Sequence, residues 1–232
     1  MSHPVVSPDQ WQAARAALLK QEKEFTKARD ALSRERRALP WEKVEKPYVF
    51  EGPNGAESLS DLFAGKSQLV VYHFMFNPKD DAGCPSCSFW ADHYDGMTVH
   101  LGQRDVSFVV ISRAPLAKIA TFKQRMGWKF KWLSSGNNSF NYDYRVSFSP
   151  ADSEQPVYNV GTLVPGMPDR EGLSVFTKDS SGAVFRTYST FARGIDMING
   201  TYQILDLVPK GRDEDPEATQ DWVRHHDRYD RA

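Results

Sequence analysis

Cys84 and Cys87, in Gly83-Cys84-Pro85-Ser86-Cys87-Ser88-Phe89-Trp90, are the only cysteines of the chain and have two residues between them. A C-x-x-C pair suits reversible disulfide chemistry. The thiolate is the attacking species, and a second thiol one helical turn on can displace whatever the first has captured. That chemistry needs the first cysteine at a helix N-terminus, where unpaired backbone N–H groups and the positive end of the dipole favour thiolate over thiol. The flanking sequence supplies such a setting. Leu69-Val70-Val71-Tyr72-His73-Phe74-Met75-Phe76 is an apolar run that predicts a buried strand, Asn77 to Gly83 reads as a loop, and a helix is expected from Cys84 to about Asp95. Cys84, nearer the helix start, is the expected nucleophile, and Cys87 the resolving thiol.

Other chemistries fit the same residues less well. Two buried cysteines can serve simply as small core side chains. Cys84, Cys87, His93 and His100 could offer a metal two thiolates and two imidazoles, but their spacing follows none of the usual zinc patterns, and a helix running through His93 turns that ring away. No metal and no external cofactor are expected. Ser88 stands where covalent haem attachment needs a histidine, which excludes that reading. Peroxide reduction is open to the pair, since Cys84 could attack a peroxide and Cys87 could resolve the sulfenic acid. Arg113 could lend charge to such a site, although a surface role is the plainer reading. His73, in mid-strand, is expected to be a hydrogen-bonded core histidine.

The chain has 232 residues, 29 basic and 30 acidic, for a formal charge of −1. No global field favours nucleic acid or an anionic membrane, and neither is an expected partner. The N-terminus lacks the charged start, apolar stretch and cleavage site of a secretory signal, and no apolar run is long enough to span a bilayer. A cytoplasmic location follows as an expectation. In a reducing compartment, a closely spaced cysteine pair is expected to be catalytic and not structural.

Ser7-Pro8-Asp9-Gln10 combines an N-cap, a proline at the first helical position and a glutamine at the third, so a helix is predicted from here to about Arg37. Trp11, Leu18, Phe25, Leu32 and Leu39 recur every seven residues, a narrow apolar stripe suited either to the chain's own domain or to a second copy. A homo-oligomer is expected on that basis. Tyr48 to Ser58 predicts a hairpin, Leu59 to Phe63 a short helix, Val106 to Ile111 a second buried strand, Pro115 to Met126 a helix, and Trp128 to Leu133 a further strand. Two apolar strands joined by a helical crossover imply parallel neighbours. Ser134 to Arg170 has no sustained period and reads as an insertion, but Phe140, Tyr142, Tyr144, Phe148 and Tyr158 are too many aromatics for a disordered one. Leu173 to Tyr188 predicts a second hairpin, Gly200 to Leu207 a closing helix, and the segment after Lys210 a polar tail with Trp222 near its end.

The order βαβ, then a hairpin and a closing helix, with C-x-x-C opening the first core helix, resembles the thioredoxin fold. Leu59-Ser60-Asp61-Leu62-Phe63-Ala64-Gly65-Lys66 before the first core strand is similar to the start of peroxiredoxin-type and thiol-reductase-type members. Four segments resemble the DUF899 family, whose members carry the label of predicted dithiol-disulfide oxidoreductases. They are Tyr72-His73-Phe74-Met75-Phe76, Gly83 to Asp92, Tyr188-Ser189-Thr190-Phe191-Ala192-Arg193-Gly194 and Asp206 to Glu214. With the N-terminal helix, the resemblance covers nearly the whole chain. It implies an α/β thioredoxin-like fold, a central mixed sheet flanked by helices. The expected organisation is a helical extension over 1–45, the core over 46–212 with its insertion at about 134–170, and a tail over 213–232.

The implied activity is thiol–disulfide exchange through Cys84 and Cys87, on a disulfide-containing protein or a small thiol substrate, with an electron donor still to be identified. A peroxiredoxin-like thiol peroxidase and a non-catalytic interaction module of the same fold are the alternatives. Two departures matter. Asp80 and Asp81 precede the dithiol, Asp81 where peroxiredoxins usually place a threonine, and nearby carboxylates are expected to oppose thiolate formation. Where thioredoxins carry a cis-proline facing the dithiol, this chain has Arg170-Glu171-Gly172-Leu173-Ser174, with Pro168 the nearest proline.

Overall fold

The computed structural model describes residues 3–149, 157–159, 161–163 and 168–230; the rest of the expected insertion and both chain ends lie outside the described residues. The chain divides into two compact units, Met1–Pro40 and Trp41–Ala232.

The first unit is built on α1 (Pro8–Arg37). The Gln10 N–H donates to Ser7 Oγ at 3.3 Å and the Ser7 N–H to Gln10 Oε1 at 3.0 Å, a reciprocal cap that the sequence predicts. Arg34, Arg36 and Arg37 in the last turn complement the negative end of the dipole. No residue of α1 is buried.

The second unit begins with β1 (Glu42–Lys43), β2 (Val49–Gly52) and β3 (Gly55–Ser58), then a single tight helical turn at Asp61–Phe63. There follow β4 (Gln68–His73), α2 (Pro85–Ala91), α3 (Tyr94–Gly102), β5 (Val106–Ser112), α4 (Leu116–Arg125), β6 (Lys131–Ser134) and α5 (Phe140–Asp143). The short strands β7 (Val157–Tyr158) and β8 (Thr162–Leu163) pair with each other, and β9 (Gly172–Lys178), β10 (Val184–Phe191) and α6 (Gly200–Leu205) complete the core. Among the described residues, eight strands form one sheet in the order β1-β10-β9-β4-β5-β6-β2-β3. β4, β5 and β6 are parallel, while β9 runs antiparallel to β4 and to β10. This mixed sheet with helices on its faces is a thioredoxin-like α/β fold.

Strand alternation divides the apolar residues into two layers. Tyr72, Phe74, Phe108, Val110 and Trp132 face a layer shared with Cys87, Trp90, Ile119 and Phe122 of the helices. Leu69, Val71, Val109, Ile111 and Leu133 face the other, shared with Phe50, Phe63, Phe140 and Phe176. No helix among the described residues is long and apolar enough to cross a membrane.

Three elements differ from the sequence expectation. The helix opened at Cys84 ends at Ala91, and a new one starts at Tyr94. Asp92 in the break accepts hydrogen bonds from Trp128 Nε1 (2.8 Å) and His226 Nδ1 (2.7 Å), tertiary partners that local propensity does not report. The segment expected as an insertion places Phe140, Tyr144, Phe148 and Tyr158 in the interior and so builds core. The segment expected as a polar tail folds back on the domain. Glu214 Oε1 accepts from Tyr202 Oη (2.8 Å), Trp222 Nε1 (2.7 Å) and the Gln220 N–H (3.1 Å), and Val223 is buried.

Candidate active site

Cys84 is the N-cap of α2 and Pro85 its first residue, where the missing N–H costs nothing and the fixed φ already suits a helix. The Cys84 carbonyl closes the first turn by accepting from Ser88 N–H (2.9 Å) and Ser88 Oγ (2.8 Å). Cys84 N–H donates to Met75 O at 3.1 Å, and Met75 N–H lies 3.4 Å from Cys87 Sγ, so the strand end after β4 grips both cysteines. Gly83 leaves no room for a side chain unless its neighbours shift: a Cβ there would come within 2.7 Å of the rings of Phe74 and Phe122. Its carbonyl accepts from His225 Nε2 at 2.8 Å, which fastens the C-terminal segment to the active-site loop.

The two thiols are unbridged and differ in setting. Cys84 is half-buried and Cys87 is 1% exposed. The Cys87 thiol and the backbone N–H groups of Cys87 and Ser86 hold the Cys84 pKa below the ordinary thiol value, against the opposing effects of burial and of Glu171. Burial pushes the Cys87 thiol up, and its hydrogen bond to Cys84 pushes the same way. A Cys84 thiol shifted towards thiolate beside a Cys87 thiol shifted away from it is the division of labour that dithiol exchange requires.

Asp80 and Asp81, the carboxylates that the sequence sets nearest the dithiol, are engaged elsewhere. Asp80 is tied to its own loop, accepting from Asn77 N–H at 3.2 Å, and Asp81 lines a separate cavity beside Phe122 and Arg125. The carboxylate that acts most on Cys84 is Glu171. Arg113 is also elsewhere, held by Asp169 at 2.8 and 3.0 Å and by Tyr142 Oη at 2.6 Å. His73 lies in the other apolar layer, its Nε2 2.9 Å from Ser174 Oγ, and burial lowers its pKa to about 3. His93 contacts Thr201 Oγ1 at 3.1 Å, and no cluster of three potential metal ligands occurs among the described residues.

A cavity of about 300 Å³ opens over the dithiol, lined by both cysteines, Tyr72, Met75, Ser86 and Trp90, by Arg170 and Glu171 before β9, by Ala192, Arg193, Ile195 and Asp196 after β10, and by Thr219 and Gln220. Trp90 Nε1 donates to Ile195 O at 3.0 Å. Tyr158 Oη donates to Glu171 O at 2.7 Å and accepts from Ala192 N–H at 3.1 Å, so a tyrosine of the expected insertion joins two walls of the cavity. The hydroxyls of Tyr72 and Tyr94 are fully buried near Cys87, and burial pushes both pKa values well up. Arg170-Glu171-Gly172 occupies the position facing the dithiol, and no cis peptide occurs among the described residues. Sequence reasoning marks that stretch only for the proline it lacks; Thr219 and Gln220 carry no signal at all, because nothing local shows a polar tail folding back.

The family model described as "Bacterial protein of unknown function (DUF899)" matches residues 1–229, and the chain belongs to that family. No curated protein matches it. Among solved structures it is similar to the peroxidoxin BcpB of Mycobacterium tuberculosis, at 19% identity and TM-score 0.48, over 72% of this chain and 97% of that one. It is also similar to peroxiredoxin Q of Xanthomonas campestris, at 14% identity and TM-score 0.45, over 73% and 98%. The mitochondrial 2-Cys peroxiredoxin of Plasmodium falciparum aligns at 14% identity and TM-score 0.42, over 72% and 94%.

Proposed function

We propose that this DUF899 protein is a dithiol-disulfide oxidoreductase, with Cys84 as nucleophile and Cys87 as resolving thiol. The observation that carries the reading is the asymmetry of the pair: Cys84 sits at the N-cap of α2, half-buried at a cavity with its pKa lowered, while Cys87 lies buried behind it with its pKa pushed well up. Cys84 thiolate attacks one sulfur of a substrate disulfide, the S–S bond breaks, and the first half leaves as a thiolate that takes a proton from solvent. Cys87 then attacks Cys84 Sγ in the mixed disulfide. The second half leaves, and the proton that Cys87 gives up ends on it. The substrate disulfide gains two electrons, the protein dithiol loses two, and a dithiol or small-thiol reductant returns the protein to its starting state.

The test is a redox titration in dithiothreitol buffers read by thiol-trapping mass spectrometry. A reversible Cys84–Cys87 disulfide with a potential of roughly −270 to −120 mV supports the reading. Thiols that never cycle would reject it.

Peroxide reduction is the second reading, favoured by Arg170, a cation lining the same cavity as Cys84. There Cys84 thiolate would cleave the O–O bond, an alkoxide would leave and be protonated, and Cys87 would condense with the sulfenic acid to release water. Stopped-flow oxidation by hydrogen peroxide and by a small disulfide decides between them by which reacts faster.

A further inference from the structure

The charged side chains around the dithiol fall into two groups. Arg193 meets Asp196 at 3.4 Å, and Arg212 joins Asp196 at 3.1 Å and Asp206 at 2.8 Å while lying over the Tyr202 ring. These charges satisfy one another in the wall between the cysteine cavity and an adjoining one of about 540 Å³. Arg113 and Asp169 likewise neutralise each other. Arg170 and Glu171 do not: both are half-buried and line the cysteine cavity, and neither has an ion pair among the described residues. Arg170 Nε is buried without a hydrogen-bond partner among the described residues. Glu171 is close enough for its charge to act on both thiols. Partly desolvated charges without partners cost stability, and their retention beside a nucleophile is the pattern of a site that a ligand completes.

Access narrows the choice of ligand. The C-terminal segment brings Thr219 and Gln220 to the cavity wall and is held there by Glu214 on Tyr202, Trp222 and Gln220 and by His225 on the Gly83 carbonyl. A cavity of about 300 Å³ with such a wall suits a small molecule better than a loop of a folded protein.

Building on the dithiol reading, we propose that the substrate is a small zwitterionic disulfide of the amino-acid or short-peptide type, its carboxylate held by Arg170 and its ammonium by Glu171 while one sulfur faces Cys84. Opposite charges on adjacent residues reject a purely anionic or purely cationic disulfide, because each leaves one protein charge unpaired and repels the other half of the site.

Four small disulfides test it on the full-length reduced protein: L-cystine, 3,3′-dithiodipropionate (carboxylates only), cystamine (ammoniums only) and bis(2-hydroxyethyl) disulfide (uncharged). Each rate of Cys84 oxidation is divided by the rate of the same disulfide with free dithiothreitol. The rates of variants are further corrected by alkylation with uncharged iodoacetamide, since Glu171 also influences the thiol. Cystine is expected to lead the uncharged compound by about tenfold or more. Arg170→Met should slow cystine and dithiodipropionate but spare cystamine, and Glu171→Gln should slow cystine and cystamine but spare dithiodipropionate. Arg170→Lys and Glu171→Asp, which keep the charges, should restore part of the preference. Equal normalised rates for cystine and the uncharged disulfide, or variants that slow all four alike, would overturn the zwitterion assignment and leave dithiol exchange standing. Failure of every disulfide to oxidise Cys84, with alkylation intact, would defeat the dithiol reading itself.

Discussion

Tyr72 and His73 are neighbours on β4, both fully buried, and they face opposite layers of the sheet. Tyr72 reaches the cavity and lies beside Cys87. His73 packs against Phe140 and Tyr144, with ring centroids at 5.6 and 6.1 Å, and bonds to Ser174. Both are titratable side chains pushed far from their ordinary pKa by burial. Only the first lines the cysteine cavity. Burial and a perturbed pKa therefore identify nothing by themselves here; adjacency to the cysteine pair and its cavity does.

The contrast between the layers can be broken most severely at the dithiol. Cys84→Ser is expected to lower disulfide reduction on the order of 10³-fold or more, measured as turnover with dithiothreitol as reductant. Cys87→Ser should keep Cys84 alkylation and accumulate a mixed disulfide visible by mass spectrometry. In the other layer, His73→Leu should leave Cys84 alkylation within about twofold of the parent.

His73 instead marks the acid stability of that layer. Its pKa is about 3 in the fold, against 6.5 for an ordinary histidine, so between those values the unfolded chain binds one more proton than the native one. Stability then falls as pH falls, by about 1.4 kcal/mol per unit from this group. Urea titrations from pH 7 to 4 should show that slope reduced by one proton in His73→Leu.

Gly83→Ala tests how tightly the dithiol loop is set against its layer. The new Cβ meets two core rings at 2.7 Å, and a loss of about 1–3 kcal/mol is expected in urea unfolding, together with slower Cys84 alkylation. The smallest effect is electrostatic. The alkylation midpoint of Cys84 should lie below the ordinary thiol value of 9.0, and Glu171→Gln should lower it further. Alkylation at pH 7 would then quicken by a factor of about 2 to 10.

Much of this was legible in the residue order. The capping box at Ser7, the apolar runs of β4 and β5, the hairpin of β9 and β10, and Cys84 ahead of a helix are local patterns whose physics acts within a few residues. The split at Asp92 was not legible, because Trp128 and His226 that reward it lie 36 and 134 residues away. Nor was the core role of Phe140 and Tyr144, which have no period to announce which layer they join.

The sequence by itself determined that two thiols one turn apart would sit at a helix N-terminus after a buried strand, since spacing, propensity and the helix dipole are short-range properties. Tertiary structure alone decided which charges meet those thiols. Asp80 and Asp81, near in sequence, are turned away, while Glu171 and Arg170, more than eighty residues on, form the wall together with Thr219 and Gln220. Charge and dielectric act through space, and only the pairing of β9 with β4 and the fold-back of the C-terminal segment bring those residues within reach.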